Sequence, residues 1–298
     1  MIIRVENLHK SFGHHEALRG LSLSVPEGSA YALIGANGAG KTTTIKVMMN
    51  IMRATRGRAM VLGVDSRRLA ERKLAQIGYV SENQEMPGRL TVREYLDYLR
   101  PFYARWDLAL EREILGQLRL PVQRRIGELS HGMRLKLALA CALPFRPKLL
   151  VLDEPFSGLD PLIRDEFMER LLRQAGEMTV LISSHELTEI EGAVTHVGFL
   201  DRGKLLFEES MEALSERVRE VRVILEQDAA VPARVPEEWL EVTAAGNVVS
   251  FVDTRFRDEN LSARIAGLFS GIRQVDVQPV ALRSIFTTLA RAERDRRA

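Results

Sequence analysis

Residues 30–43, Ala-Tyr-Ala-Leu-Ile-Gly-Ala-Asn-Gly-Ala-Gly-Lys-Thr-Thr, constrain this chain more tightly than any other stretch. Tyr31 to Ile34 reads as a short buried strand and Gly35 to Gly40 as a glycine-rich turn. Lys41, Thr42 and Thr43 open a helix that continues through Ile45, Val47 and Met48. The spacing is G-x-x-x-x-G-K-[ST], in the strand–loop–helix setting that the pattern requires. Gly35, Gly38 and Gly40, with Asn37 and Ala39 between them, allow backbone conformations closed to residues with a Cβ, so successive N–H groups can converge on a phosphate. The helix N-terminus adds its partial positive charge at the same point. Lys41 offers a mobile ammonium for β- and γ-phosphates, on a stem expected to lie outside the core, and the Thr42 hydroxyl is a hard oxygen suited to Mg²⁺.

With 298 residues, 46% of them hydrophobic and 28% charged, there is room for one large soluble domain and a smaller one. A net charge of +2 is too small to argue for a nucleic-acid partner. The single cysteine, Cys141, lies in an apolar helical run with Leu137, Leu139 and Leu143, and reads as a buried thiol in a cytosolic protein. No stretch approaches the ~18 uncharged apolar residues of a membrane span, and Arg4 and Glu6 interrupt any signal-peptide pattern. The expectation is a protein that reaches a membrane only through a partner.

Ile3 and Val5 alternate over a strand at 2–9, and the Lys-Ser-Phe-Gly that follows reads as a turn ending in an exposed Phe12. A second strand carries Leu21, Leu23 and Val25. After the glycine loop come a strand at 58–62, a helix at 67–75 and a strand at 77–80. From Pro87 to Leu143 the pattern is helical, and the aromatics Tyr95, Tyr98, Phe102, Tyr103 and Trp106 read as core or packing surface. Strands return at 148–152, 179–183 and 197–200. This predicts an α/β core over 1–210 with a helical insertion at about 86–145. Residues 211–298 read as a small α+β domain, with strands at Val221–Leu225, Val249–Phe251 and Val275–Val277. One helical face there carries Leu261, Ile265, Leu268 and Phe269, and another Leu282, Ile285, Phe286 and Leu289. No catalytic constellation is visible in it.

The apolar run Leu149–Leu152 ends in Asp153-Glu154-Pro155. An aspartate at the tip of a buried strand beside a phosphate loop is placed to hold a Mg²⁺ shell, and Glu154 to accept a proton from an attacking water.

In order along the chain, the motifs resemble those of an ATP-binding-cassette (ABC) ATPase with a P-loop NTPase core. Phe12 sits where that family stacks an aromatic on adenine. Leu129-Ser130-His131-Gly132-Met133 is similar to the signature L-S-G-G-Q, Asp153-Glu154 to the second Walker motif, Ser157-Gly158-Leu159-Asp160 to the D-loop, and Ser184-His185 to the switch histidine. The resemblance covers residues 1–210. It implies ATP and Mg²⁺ as ligands and a head-to-tail pair of cassettes, as a homodimer or with a paralogue. Each ATP would lie between the loop of one copy and Ser130 and Gly132 of the other, with His185 on the γ-phosphate and Asp160 acting across the interface. Two departures stand out: His131 and Met133 replace a glycine and the glutamine of the signature, and Glu82 stands where the family has a glutamine that reaches Mg²⁺, with Gln84 two residues on. The family reading is an exporter-type ATPase subunit driving a separately encoded multi-span permease, peripheral at the cytoplasmic face of the membrane. In the family, docking is in the groove near Glu82–Tyr103. A soluble ABC-type ATPase acting in assembly, in regulation or on nucleic acid remains the alternative, although no nucleic-acid partner is expected.

Overall fold

A computed structural model of the chain describes all residues except 83, 157–163, 165–167, 169–177, 187–191, 233, 282–283, 286 and 290–298. The expected D-loop, Ser157 to Asp160, and the helical positions Leu282 and Phe286 therefore lie outside the described residues. Contacts divide the chain into two units, Met1–Glu208 and Glu209–Ala298.

The first unit contains two sheets. One is antiparallel, in the order β2 (His15–Val25), β1 (Ile3–Phe12), β4 (Arg56–Val61) and β5 (Val64–Asp65). In β1 the buried residues are Ile3, Val5 and then Leu8, so the two-residue period slips once. The slip falls at Asn7, which takes a left-handed φ of 46° where the register with β2 shifts. Asparagine is one of the few residues that tolerates this conformation. Strand β1 runs on through Phe12, so the expected turn at Lys10–Gly13 begins only at Gly13. Ladder pairing down to Phe12–His15 outweighs the turn propensity of Ser11 and Gly13.

The other sheet has the order β10 (Lys204–Ser210), β9 (His196–Asp201), β3 (Ala30–Ile34), β8 (Thr179–Ser184), β7 (Leu149–Asp153) and β6 (Ile77–Ser81). From β9 to β6 every neighbouring pair is parallel. All residues of β3, β7 and β8 are buried, which is why these strands read as unbroken apolar runs. Helix α1 (Lys41–Met48) follows β3. The predicted helix at 67–75 is reduced to a single 3₁₀ turn at 66–68, capped by Asp65, and the four-residue α2 (Glu71–Leu74). The insertion holds α3 (Val92–Leu99), α4 (Leu108–Gln117) and α5 (His131–Ala142). Thr91 and Glu94 start α3 with a reciprocal capping box. Glu111 ties this region together: 1% exposed, it accepts from Arg93, Arg100 and the Trp106 indole. Cys141 is buried, and burial pushes its thiol pKa up. Among the aromatics, Tyr103 stacks on Phe145 with centroids 4.1 Å apart, whereas Tyr98 and Phe102 are each 59% exposed.

The second unit is an antiparallel sheet in the order β12 (Trp239–Ala245), β13 (Val248–Asp253), β11 (Arg219–Leu225) and β14 (Ile272–Pro279), with helices α6 (Met211–Arg217) and α7 (Asp258–Ala266). Val221 and Val223 of β11 pair with Phe251 and Val249 of β13. Those four pack with Trp239 and with Leu261 and Ile265 of α7. Strand β12 and helix α6 are elements that the sequence pattern did not signal.

Candidate functional site

Parallel strands bring their C-terminal ends to one edge, and in α/β sheets that edge is where ligands bind. Here Ser81 of β6 pairs with Asp153 of β7, Asp153 with Ser183 of β8, and Ser183 with Leu33 of β3. One row across the sheet thus lies at, or one residue before, the ends of the four strands that feed Glu82, Glu154, His185 and the glycine loop.

The loop is shaped by close approaches. A Cβ on Gly35 would run into the Leu200 carbonyl, and one on Gly40, at φ 112°, would meet Leu18 at 2.8 Å and the Ala17 carbonyl at 2.9 Å. Asn37 and Gly38 are exposed at the loop tip and Ala39 is buried behind it. Gly40 is the N-cap of α1, whose first amides, from Lys41 to Thr43, have no intrahelical acceptor and are the donors available to an anion.

Lys41 is only 4% exposed, which corrects the expectation that its stem lies outside the core. Its Nζ donates to the Ala36 carbonyl at 3.1 Å, also reaches that of Gly35, and lies 3.0 Å from Glu154 Oε1. The other carboxylate oxygen of Glu154, Oε2, is 2.9 Å from His185 Nδ1. Glu154 has a left-handed φ of 52°, a costly conformation for a residue with a long side chain. The motif residues Lys41, Glu154 and His185, scattered over the sequence, meet here in a single chain of contacts.

Asp153, 3% exposed, accepts at Oδ1 from the Thr42 hydroxyl at 3.0 Å and from the Ser183 hydroxyl at 2.8 Å. Burial pushes its carboxyl pKa above the ordinary value; the Ser183 and Thr42 hydrogen bonds oppose this, and the neighbouring Glu154 charge adds to it. Thr42, Asp153 and Glu154 line a cavity of about 290 Å³ with Glu82, Gln84 and Lys46. The Glu82 amide donates to the Asp153 carbonyl at 3.1 Å. Gln84 Oε1 is buried without a hydrogen-bond partner. That orphaned oxygen, the Thr42 hydroxyl and the Asp153 and Glu82 carboxylates form a set of hard oxygens that fits Mg²⁺. Among the described residues no group of three or more His, Cys, Asp or Glu side chains could hold a metal. A cation here would depend on few protein ligands and on phosphate oxygens, the usual arrangement for Mg²⁺.

Phe12, Ser130 and Gly132 are not among the residues lining that cavity. Phe12 is 46% exposed at the β1–β2 hairpin, with the Lys10 ammonium 4.9 Å from its ring centroid. Ser130 is the N-cap of α5 and accepts from the Met133 amide at 3.3 Å, with Gly132 in the first turn. His131 lines an adjoining cleft of about 610 Å³, which shares Glu82 and Gln84 with that cavity and adds Met86 and Leu135. Ser183 and Lys46 were missed by the sequence reading. The only signal for Ser183 was a serine pair ending an apolar strand.

The family model for ABC transporters matches residues 18–157. The bacitracin transport ATP-binding protein BcrA of Bacillus licheniformis is 35% identical, over 73% of this chain and 72% of that protein. The daunorubicin resistance ATP-binding protein DrrA2 of Streptomyces coeruleorubidus is 33% identical, over 77% and 74%. Among solved structures, an ATP-binding subunit of an ABC transporter superposes with a TM-score of 0.66 at 28% identity, covering 72% of this chain and 92% of that one. With these relatives, and with a phosphate loop, two carboxylates and a histidine converging at the ends of parallel strands, the chain belongs to the ATP-binding, ATP-hydrolysing subunits of ABC transporters.

Proposed function

We propose that this subunit powers a separately encoded, multi-span membrane permease and works as a head-to-tail pair of cassettes, either two copies or one with a paralogue. The observation that supports the reading best is the contact chain Lys41–Glu154–His185 beside the Thr42–Asp153 pair. In this scheme Lys41, the amides of Gly35–Gly40 and Thr43 hold the phosphates. Thr42 and Asp153 hold Mg²⁺, with Glu82 or Gln84 completing its shell from the protein side. The bound Mg²⁺ offsets phosphate charge. Glu154 takes the proton of the attacking water at a carboxylate oxygen, and His185 holds Glu154 in place and faces the γ-phosphate. Ser130 and Gly132 close the site of the second copy from a helix N-terminus, with Asp160 across the interface.

No helix among the described residues is long and apolar enough to cross a membrane. The proposed place is the cytoplasmic face, bound through the permease. The 610 Å³ cleft between the segment after β6 and α5 is the proposed docking groove. The bacitracin and daunorubicin relatives favour an export partner. The second unit is proposed as an accessory domain that stabilises or regulates the pair.

Co-expression with a candidate multi-span permease, sought among the neighbouring reading frames, followed by native extraction, tests the assignment. The chain is expected to fractionate with membranes only when that protein is present, and Met86→Glu, which puts a charge in the cleft, should release it. A chain that stays in the soluble fraction beside a well-expressed permease would overturn the proposal.

Phe12 is proposed to stack on adenine. Phe12→Ala should then weaken ATP binding about 5- to 100-fold, since base–aromatic stacking is worth ~1–3 kcal/mol. Phe12→Tyr and Phe12→Trp should retain it. Equal losses in all three would refute stacking.

A further inference from the structure

Ser183 lies at the end of β8 and has no exposed surface. Its hydroxyl donates to Asp153 Oδ1 at 2.8 Å and accepts from the Glu154 amide at 3.0 Å. We propose that Ser183 is a positioning residue, whose single hydroxyl sets both the carboxylate of Asp153 and the backbone of Glu154. The proposal rests on Asp153 as the metal-shell residue and Glu154 as the base.

The two carboxylates are consecutive in sequence yet must point to different tasks. In an extended strand, neighbouring side chains point to opposite faces. The left-handed φ of 52° at Glu154 breaks that alternation and accompanies its reach to both Lys41 and His185. Such a conformation persists only where the surroundings hold it. The Ser183 acceptor is one of those restraints, because it takes the Glu154 N–H directly. The same oxygen orients Asp153 together with Thr42, so Oδ1 is gripped from α1 on one side and from β8 on the other. A hydroxyl is the group that can donate and accept from one atom. Alanine can do neither, and cysteine has the volume but bonds weakly. The run Val180-Leu181-Ile182 before it is apolar and buried, so Ser183 brings a polar group into the strand where it meets Asp153.

Turnover and ATP affinity of the full-length chain are to be measured for Ser183→Ala, Ser183→Cys and Ser183→Thr, each alone and combined with Glu154→Gln. Misplacing a reacting group by about 1 Å can cost ~100-fold. Ser183→Ala is therefore expected to lose about 10- to 100-fold in kcat, with ATP affinity within about threefold of the parent. Threonine, which keeps the hydroxyl, should recover most of the loss, and cysteine should not. In the Glu154→Gln background Ser183→Ala should cost clearly less than it does alone, because the Glu154 half of its role is already lost and only its hold on Asp153 remains.

The proposal is overturned if Ser183→Ala turns over within twofold of the parent, if ATP affinity falls as far as kcat, or if Ser183→Ala costs as much in the Glu154→Gln background as it does alone. Should Ser183→Ala fail to fold, Ser183→Cys keeps the volume and is held to the same criteria. Parental turnover by Glu154→Gln alone would remove the base assignment and the proposal with it. An inactive Glu154→Gln beside a fully active Ser183→Ala would remove only the positioning role.

Discussion

Glu154→Gln is expected to lower ATP turnover by about 10²–10⁴-fold while leaving nucleotide binding intact. A positioned general base contributes that much, equivalent to roughly 3–5 kcal/mol in the barrier. The substitution keeps shape and removes the proton acceptor. It leaves the proposed holding groups, Lys41, the loop amides and Thr42, untouched. It also removes a negative charge that lies 3.0 Å from the Lys41 ammonium, freeing that cation for phosphate oxygens. ATP should therefore be held longer, and a transient ATP-dependent pair of cassettes should become long-lived. Size-exclusion chromatography with Mg²⁺-ATP reads the pair, and phosphate release reads the rate. Parental hydrolysis, or a protein that stays monomeric with nucleotide, would remove the base and the paired arrangement respectively.

Removing the Lys41 ammonium should have the opposite effect on binding. Charge-assisted hydrogen bonds of ~1.5–3 kcal/mol are lost, a weakening of about 10- to 100-fold, and turnover should fall to background. Because Lys41 is 4% exposed and paired with Glu154, Lys41→Ala also opens a cavity and leaves a carboxylate without its cation. Lys41→Met fills the space and is the cleaner variant. It should keep a cooperative thermal transition, bind ATP poorly by titration calorimetry, and stay monomeric with Mg²⁺-ATP. Normal turnover by Lys41→Met would overturn the phosphate-site assignment. Opposite oligomeric outcomes for Lys41→Met and Glu154→Gln separate loss of binding from loss of chemistry.

The local parts of this protein were legible in its sequence. Gly35 to Thr43 specify a strand, loop and helix through short-range sterics, and the structure places β3 and α1 on either side of that loop. Leu149 to Asp153 is buried throughout, as an apolar run before an acidic pair suggests. Alternation in β11 and β13 revealed the second sheet. Signals failed where pairing rather than composition decides. Strand β1 reaches Phe12 because β2 pairs with it, and β12 reads as Trp-Leu-Glu-Val-Thr-Ala-Ala, a string with weak alternation that becomes a strand beside β13.

Sequence by itself determined which chemical groups this chain owns and that each phosphate-binding element is built locally. A glycine loop, an acidic strand end and a histidine after a strand are short-range features, governed by backbone freedom and side-chain type. Only the tertiary structure decided how they meet. The order β3-β8-β7-β6 inserts β8 between the loop strand and the acidic strand, although β8 comes after both in sequence. That insertion puts Ser183 against Asp153 and the Glu154 amide, and His185 against the Glu154 carboxylate. The pairing of the buried Lys41 was likewise out of reach, because its carboxylate partner Glu154 is more than a hundred residues away in the chain. Periodicity reports which face of an element is apolar. Which neighbour covers that face, and so which polar group meets which, follows from long-range strand pairing that no local pattern encodes.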